Sequence, residues 1–262
     1  MSFLLLIRGD VYRQGRSTIS SENTNKEEQR DTFVSMVPCL IQPAEEAGFH
    51  VSVIMDVCCI EPLRKRILSE AKDIFGDRLI KAEAHHERNN DAQGYSMIEM
   101  LDRNKHDIMQ YEHVMIVRGD VLWKQALPLS TSMNKQDILF LARMTTTWGK
   151  DVCLNDVLML FPCGRAEEYI NWWITKKGGP DNTNPKHYSS PHLAHAMMPN
   201  VETILKCPIH ANTAHMCNPF YRIIGRHEAT KEETVTFFLT KTIPSYREPA
   251  ANLLYRRKET VP

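Results

Sequence analysis

The sequence predicts an α/β fold, a mostly parallel sheet flanked by helices, and three observations lead there. Apolar runs of strand length alternate with helical patterns through the first half of the chain. The runs Phe3–Ile7, His50–Val57 and His113–Val117 are almost continuously apolar, as strands covered on both faces are. Polar, turn-rich residues follow the runs, so the connections lie at the sheet edges.

Phe3–Ile7 is the first strand, and the Gly9–Lys26 stretch after it reads as a loop with room for a ligand. A helix fits Glu27–Ala47, where Phe33, Val34, Val37, Leu40 and Ile41 recur at helical spacing. Pro38 and Pro43 fall inside it and predict a kink or an early stop, and Gly48 reads as its C-terminal cap. His50–Val57 is the second strand, Pro62–Phe75 a helix ending at Gly76, and Arg78–Ala82 a weaker third strand. Gly94–Met109 is helical, and His113–Val117 is the fourth strand. The second half is less regular. Asp137–Arg143 and Val157–Phe161 read as strands, Arg165–Thr175 and Pro191–Met198 as helices, and Phe220–Ile224 and Thr234–Thr240 as late strands. Lys176–Ser190 is a Gly/Pro/Asn-rich loop of the length that lids have.

Composition narrows the classes. A chain of 262 residues can bury a core without disulfides or metal. Lys+Arg and Asp+Glu both total 32, so no global charge draws the chain to nucleic acid or to a membrane surface. An anionic ligand must be held by a local basic cluster. The 7 cysteines include no Cys-x-x-Cys pair, and several lie in apolar runs, which points to a reducing compartment. No stretch approaches the roughly 20 apolar residues of a membrane span. The opening run is too short for a signal-peptide core, so a cytoplasmic protein is expected.

In a parallel sheet, ligands bind outside the C-terminal ends of the strands. That rule brings three segments to one edge: Arg8–Arg16, Asp56 and Arg118–Asp120. In the first, Arg8, Arg13 and Arg16 with Gly9 and Gly15 suit a phosphate, although the pattern is neither GxGxxG nor Walker A. A solvated basic loop is the competing reading. Asp120 at a buried strand end is costly unless paired or metal-bound. It either holds a divalent cation against a diphosphate or closes a turn by pairing with Arg118. Asp156, just before an apolar strand, is a general base or a turn cap. Histidines cluster at His85/His86, His192/His195 and His210/His215, and one late histidine is a candidate metal or diphosphate ligand. Trp148, Trp172 and Trp173 either stack a sugar face or fill the core, and the core is the default on a helix.

Five segments in this order carry a family resemblance. They are Leu6-Ile-Arg8-Gly9 with Tyr12-Arg13, Gln93-Gly-Tyr-Ser96, Arg118-Gly-Asp120, Asn155-Asp156 through Pro162, and Asn218 through Arg226. The chain resembles GT-A-type glycosyltransferases of large algal DNA viruses and related algal proteins, some of which build capsid glycans. The resemblance implies a GT-A-like Rossmann-type sheet over residues 1–243, followed by a tail over 244–262. Residues 1–123 would form the nucleotide-sugar half and 124–243 an acceptor half. It implies transfer of a sugar from a UDP- or GDP-linked donor to a glycan on a capsid glycoprotein, in the host cytoplasm. A catalytically inactive nucleotide- or glycan-binding module and a nucleotidyltransferase are the alternatives. By position Arg8, Gly9, Arg13, Arg16, Asp56 and Arg118 would face the nucleotide, and Gln93 and Ser96 the donor ribose or sugar. Asp120, with His215, would hold Mn²⁺ or Mg²⁺, and Asp156 would take the acceptor proton. The family's Asp-x-Asp reads Arg118-Gly-Asp120 here, one carboxylate short, and a basic residue can replace part of the missing metal charge.

Overall fold

The computed structural model describes residues 1–12, 26–85, 93–129, 138–141, 143–145, 152–154, 156–178, 201–203, 209–210 and 221–223. Four strands form the parallel part of the main sheet: β1 (Ser2–Asp10), β2 (His50–Cys58), β3 (Leu79–His85) and β4 (His113–Arg118). β1 pairs in parallel with both β2 and β4, and β2 pairs in parallel with β3. Three further strands extend the sheet beyond β4: β6 (Ile138–Phe140), β9 (Leu158–Pro162) and β10 (Val201–Thr203). The order across the sheet is β10-β6-β9-β4-β1-β2-β3. The fold class expected from the sequence is the one observed. One detail differs: β9 runs antiparallel to both β4 and β6.

β1 explains why the middle of the sheet reads as unbroken apolar sequence. Successive side chains point to opposite faces, and both faces are covered. Leu5 and Ile7 join one core with Val53, Met55, Met115 and Val117. Leu4 and Leu6 join the other with Ile54, Val114 and Ile116. The first core is closed by α1 (Lys26–Met36) and α3 (Glu61–Phe75), through Phe33, Met36, Leu63, Ile67 and Phe75. The second is closed by α4 (Gln93–Ile108) and α5 (Cys163–Gly178), through Met97, Leu101, Tyr169 and Ile170. Trp172 packs against this second core, while the side chain of Trp173, and Trp148, lie outside the described residues.

The prolines of the long first helix act differently from the expected kink or stop. Pro38 lies in a π-helical turn, Val37–Ile41, and α2 (Gln42–Glu46) continues directly with Pro43 at its start. A wider turn accommodates a residue that has no N–H to give. The segment then ends at Gly48 as expected. Gly48 N–H donates to Glu45 (2.9 Å) and Phe49 N–H to Ala44 (3.0 Å), the paired bonds of a Schellman cap.

The other corrections concern the second half. The run read as one strand over Asp137–Arg143 splits into β6 and β7 (Arg143–Thr145). β7 lies between β8 (Val152–Leu154) and β11 (Ile209–His210), so it belongs to a separate small sheet. β5 (Val121–Trp123) pairs antiparallel with β12 (Tyr221–Ile223). The helix expected at Pro191–Met198, the strand at Thr234–Thr240 and the loop from 179 onward lie outside the described residues. Cys39, Cys58 and Cys59 are buried and in no disulfide. Among the described residues no helix is long and apolar enough to cross a membrane.

Gly119, just after β4, is fixed by packing. A Cβ there would lie 2.9 Å from Val11 Cγ1 and 3.4 Å from Ile7 Cγ2. Its N–H donates to Arg8 O at 2.8 Å, which holds this turn against the end of β1. Gly119→Ala is therefore expected to cost about 1–3 kcal/mol of stability through overpacking. Urea unfolding checks it, as a lower midpoint with an unchanged slope.

Candidate functional site

Moving from β1 to β2 to β3 steps across the sheet one way, whereas β4 lies on the other side of β1. The sheet's strand order therefore reverses between β1 and β4, and the crevice beyond their C-terminal ends is where such folds take ligands. Arg8 lies near the end of β1 there, in register with Asp56 of β2 and with Arg118 of β4, where the β1–β4 pairing ends. All three follow the strand positions that fill the α4/α5 core, so they sit at its polar end.

Two like charges side by side need counter-charge, and β9 brings it. Because β9 runs antiparallel to β4, with Leu158 opposite Val117, the residues entering β9 meet the end of β4. Arg118 N–H donates to Val157 O, and Asp156 reaches both arginines. Arg118 Nη1 lies 3.3 Å from Asp156 Oδ2, and Arg8 Nη2 lies 3.6 Å from the same oxygen. Arg8 Nη2 also donates to the Asp156 backbone carbonyl at 2.8 Å. Arg118 grips Asp120 with one edge of its guanidinium, Nε at 2.9 Å and Nη2 at 2.7 Å. All four side chains belong to residues no more than 6% exposed.

The two guanidiniums differ electrically. For Arg118, burial works against the charge, but Asp120 and Asp156 outweigh it and raise its pKa above the ordinary arginine value. For Arg8, burial dominates and lowers the pKa; Asp156 offsets part of this, and Arg118 adds to the lowering. Arg8 Nε is buried with no hydrogen-bond partner among the described residues. An unmet donor on a buried cation is expensive, and such groups are held where something else is to be bound.

The remaining residues proposed from sequence lie apart from this cluster or are held within it by Arg118. Asp56 lies in register with Arg8 but turns toward α4. Arg103 binds it through Nε (3.0 Å) and Nη2 (2.7 Å), and Asn104 Nδ2 adds a bond at 2.8 Å. Gly9, next along β1, has φ +90°, a conformation open to glycine, and still pairs with Val57 of β2. Gln93 and Ser96 lie in the first turn of α4, with side chains outside the described residues, and Arg13, Arg16 and His215 lie outside them altogether. Asp120 shows the pairing with Arg118 that was one of its two readings. A guanidinium across its two oxygens takes two of a carboxylate's roughly four lone-pair sites. Among the described residues, three metal-ligating groups converge elsewhere, at Asp56, Glu83 and His85.

Sequence reasoning missed the scaffold behind the edge. Gln29 of α1 is fully buried and ties three segments together. Its Oε1 accepts from Tyr12 N–H (2.7 Å), and its Nε2 donates to Gly119 O (2.8 Å) and Thr32 Oγ1 (2.9 Å). The signal was present: Gln29, Thr32, Phe33 and Met36 share the buried stripe of α1, and two of the four are polar.

Tyr12 is held at φ +56°, uncommon for a side chain of its size. Its hydroxyl donates to Glu70 Oε2 at 3.1 Å, and Arg66 donates to Glu70 and Glu27, linking α1 to α3. Burial, then Glu70, raises the phenol's pKa above its ordinary 10.0. A raised phenol favours the neutral form in the fold. Its contribution is complete below the unfolded value and is lost as pH rises past it, because the unfolded chain ionises first. Above about pH 10, wild type should lose up to ~1.4 kcal/mol per pH unit from this group, and Tyr12→Phe should not. Denaturation of both chains at about pH 9 and about pH 11 measures the difference.

No family model matches the chain, and no curated protein matches it in sequence. Solved structures resemble it in shape. A nucleoside-diphosphate-sugar pyrophosphorylase from Vibrio cholerae RC9 aligns with a TM-score of 0.50 at 10% identity, covering 91% of this chain and 100% of its own. The glycosyltransferase GlyE of Streptococcus pneumoniae TIGR4 aligns at 0.40 and 10% identity, over 76% of this chain and 44% of its own. A glycosyltransferase involved in glycosylation of the major capsid of PBCV-1 aligns at 0.38 and 9% identity, over 78% and 81%. At these identities the likeness concerns the fold alone.

Proposed function

We propose that the chain is a glycosyltransferase that moves a sugar from a nucleotide-sugar donor, UDP- or GDP-linked, to a glycan acceptor. The observation that carries this reading is the buried pair Arg8–Arg118 at the point where the strand order reverses, with Arg8 Nε still without a partner among the described residues. A diphosphate is the ligand whose charge and oxygens meet that donor. The family resemblance in sequence adds the sugar and the acceptor, and the viral capsid glycan rests on that resemblance alone.

In this reading Arg8 receives the leaving diphosphate, and Arg118 stays charged to organise Asp120 and Asp156 around it. Stabilising the departing negative charge is the larger demand of such a displacement, and fixed guanidiniums supply it without reorganisation. Asp156 takes the acceptor proton as the bond to the anomeric carbon forms. No step here is routed through a divalent cation at Asp120, and the assay with and without Mn²⁺ tests for one.

Two other readings share the fold. A nucleotidyltransferase would use the same strand edge for a nucleoside triphosphate and a sugar phosphate. A binding module without turnover would fit the carboxylates' engagement by arginine. One assay separates the three: donor hydrolysis and transfer across UDP- and GDP-sugars, with and without Mn²⁺, beside pyrophosphate release from a sugar phosphate and an NTP. Hydrolysis or transfer of a nucleotide sugar is the expected result. Pyrophosphate release assigns the nucleotidyltransferase, and a thermal shift without turnover assigns the binding module.

A further inference from the structure

We propose that Asp56, Glu83 and His85 form a zinc-type divalent-cation site at the C-terminal ends of β2 and β3, separate from the arginine cluster. The register builds it. Asp56 lies opposite Glu83, and Cys58 lies opposite His85, so the two β3 side chains stand on one face, two residues apart, beside the β2 carboxylate. One ligand atom from each residue falls within 4.8 Å of the others. His85 Nε2 is 3.2 Å from Asp56 Oδ1 and 3.4 Å from Glu83 Oε2.

Those distances are within reach of hydrogen bonds, yet among the described residues the buried His85 Nε2 makes none. The nitrogen is near two carboxylates and in line with neither, which is how a ligand atom stands when a third body belongs between them. Zinc bonds of about 2.0–2.1 Å in a tetrahedron put neighbouring ligand atoms roughly 3.3 Å apart, close to both separations. An imidazole nitrogen among the donors favours zinc over magnesium or calcium. Three protein ligands leave a fourth position open.

The support around Asp56 is also that of a ligand. A carboxylate offers about four lone-pair sites. Arg103 takes one on each oxygen and Asn104 a second on Oδ2, so a site of Oδ1 remains on the His85 side. Such outer partners fix a ligand's orientation. Lys81 lies 3.5 Å from Glu83 Oε1 and equally close to Asp107 Oδ2, so its charge is shared away from the site.

The test titrates the full chain, freed of metal with a chelator, with Zn²⁺ alone and with Mg²⁺ alone by calorimetry. One equivalent of Zn²⁺ is expected to bind, and Mg²⁺ at the same concentrations is not. H85A and E83Q should each weaken zinc at least about tenfold, since even outer partners of a ligand are worth that much. Cobalt in place of zinc should give the visible absorption of a tetrahedral ion in wild type and lose it in both variants. Both side chains are partly exposed on the edge strand, so the variants should fold; circular dichroism verifies this, and E83Q decides alone if H85A does not. Absence of zinc binding in wild type overturns the proposal. Equal affinity in wild type and both variants overturns it too, since the ion then sits on other histidines or cysteines. The outcome is independent of the transferase reading, because no substrate enters the measurement.

Discussion

Asp120→Ala should destabilise the fold by about 3–5 kcal/mol, the range for removing one partner of a buried ion pair. The arithmetic of the cluster explains the size. Arg8 and Arg118 face Asp120 and Asp156, two charges of each sign, in a region almost closed to water. Removing Asp120 leaves Arg118 with Asp156 alone, at the longer contact of 3.3 Å, and strips the 2.7 and 2.9 Å bonds from its other arm. An unmet guanidinium cannot shed its charge as a lysine can. Asp120→Asn should cost clearly less, because it keeps one acceptor for the guanidinium and preserves the volume. Thermal or urea unfolding of the two variants makes the comparison. An alanine variant as stable as wild type would mean that Asp120 is not the partner that holds Arg118. Loss of activity in the alanine variant says little about chemistry until its fold is verified, so the asparagine variant is the one to assay.

The parallel half of the fold was legible because its strands are buried on both faces and read as apolar runs. Phe3–Ile7 and His113–Val117 fall inside β1 and β4 for that reason. Pro38 was misread because a π turn leaves no mark in sequence beyond the proline itself. Asp137–Arg143 was misread because the run crosses between two sheets: Ile138–Phe140 lie in the main sheet, and Arg143 begins a strand of the small one. At the site, Arg8, Arg118, Asp120 and Asp156 could be chosen one at a time as polar residues bordering buried strands. Their meeting depends on the antiparallel β4–β9 pairing, a long-range choice that no local pattern encodes. Arg103 and Asn104 escaped because α4 was read for its apolar stripe alone, whereas the turn before its end carries the partners of Asp56. His85 was seen as one of many histidines. Its place beside Asp56 follows from the β2–β3 register.

Arg8→Met should separate stability from function. Among the described residues Arg8 makes one hydrogen bond, to a backbone carbonyl at 2.8 Å, and one loose ion pair at 3.6 Å, while Arg118 keeps the nearer hold on Asp156. Burial is the leading influence on this guanidinium and acts against its charge. Its long side chain stands at the end of an apolar strand, where methionine fits the path. Replacing a buried ion by a hydrophobe of similar length is often neutral or stabilising by about 1–4 kcal/mol, so the melting temperature should hold or rise. Turnover of the nucleotide sugar should fall by roughly 10²–10³, the loss expected when a preorganised donor to a developing anion is removed. If Arg8 receives the diphosphate as proposed, any thermal shift given by UDP or GDP should shrink as well. A residue that costs stability and supports activity is the signature of a binding group, since selection for the fold alone would have discarded it. If Arg8→Met instead melts lower with its residual activity intact, Arg8 is a brace for Asp156, and the diphosphate must find its cation among the other basic groups of the edge.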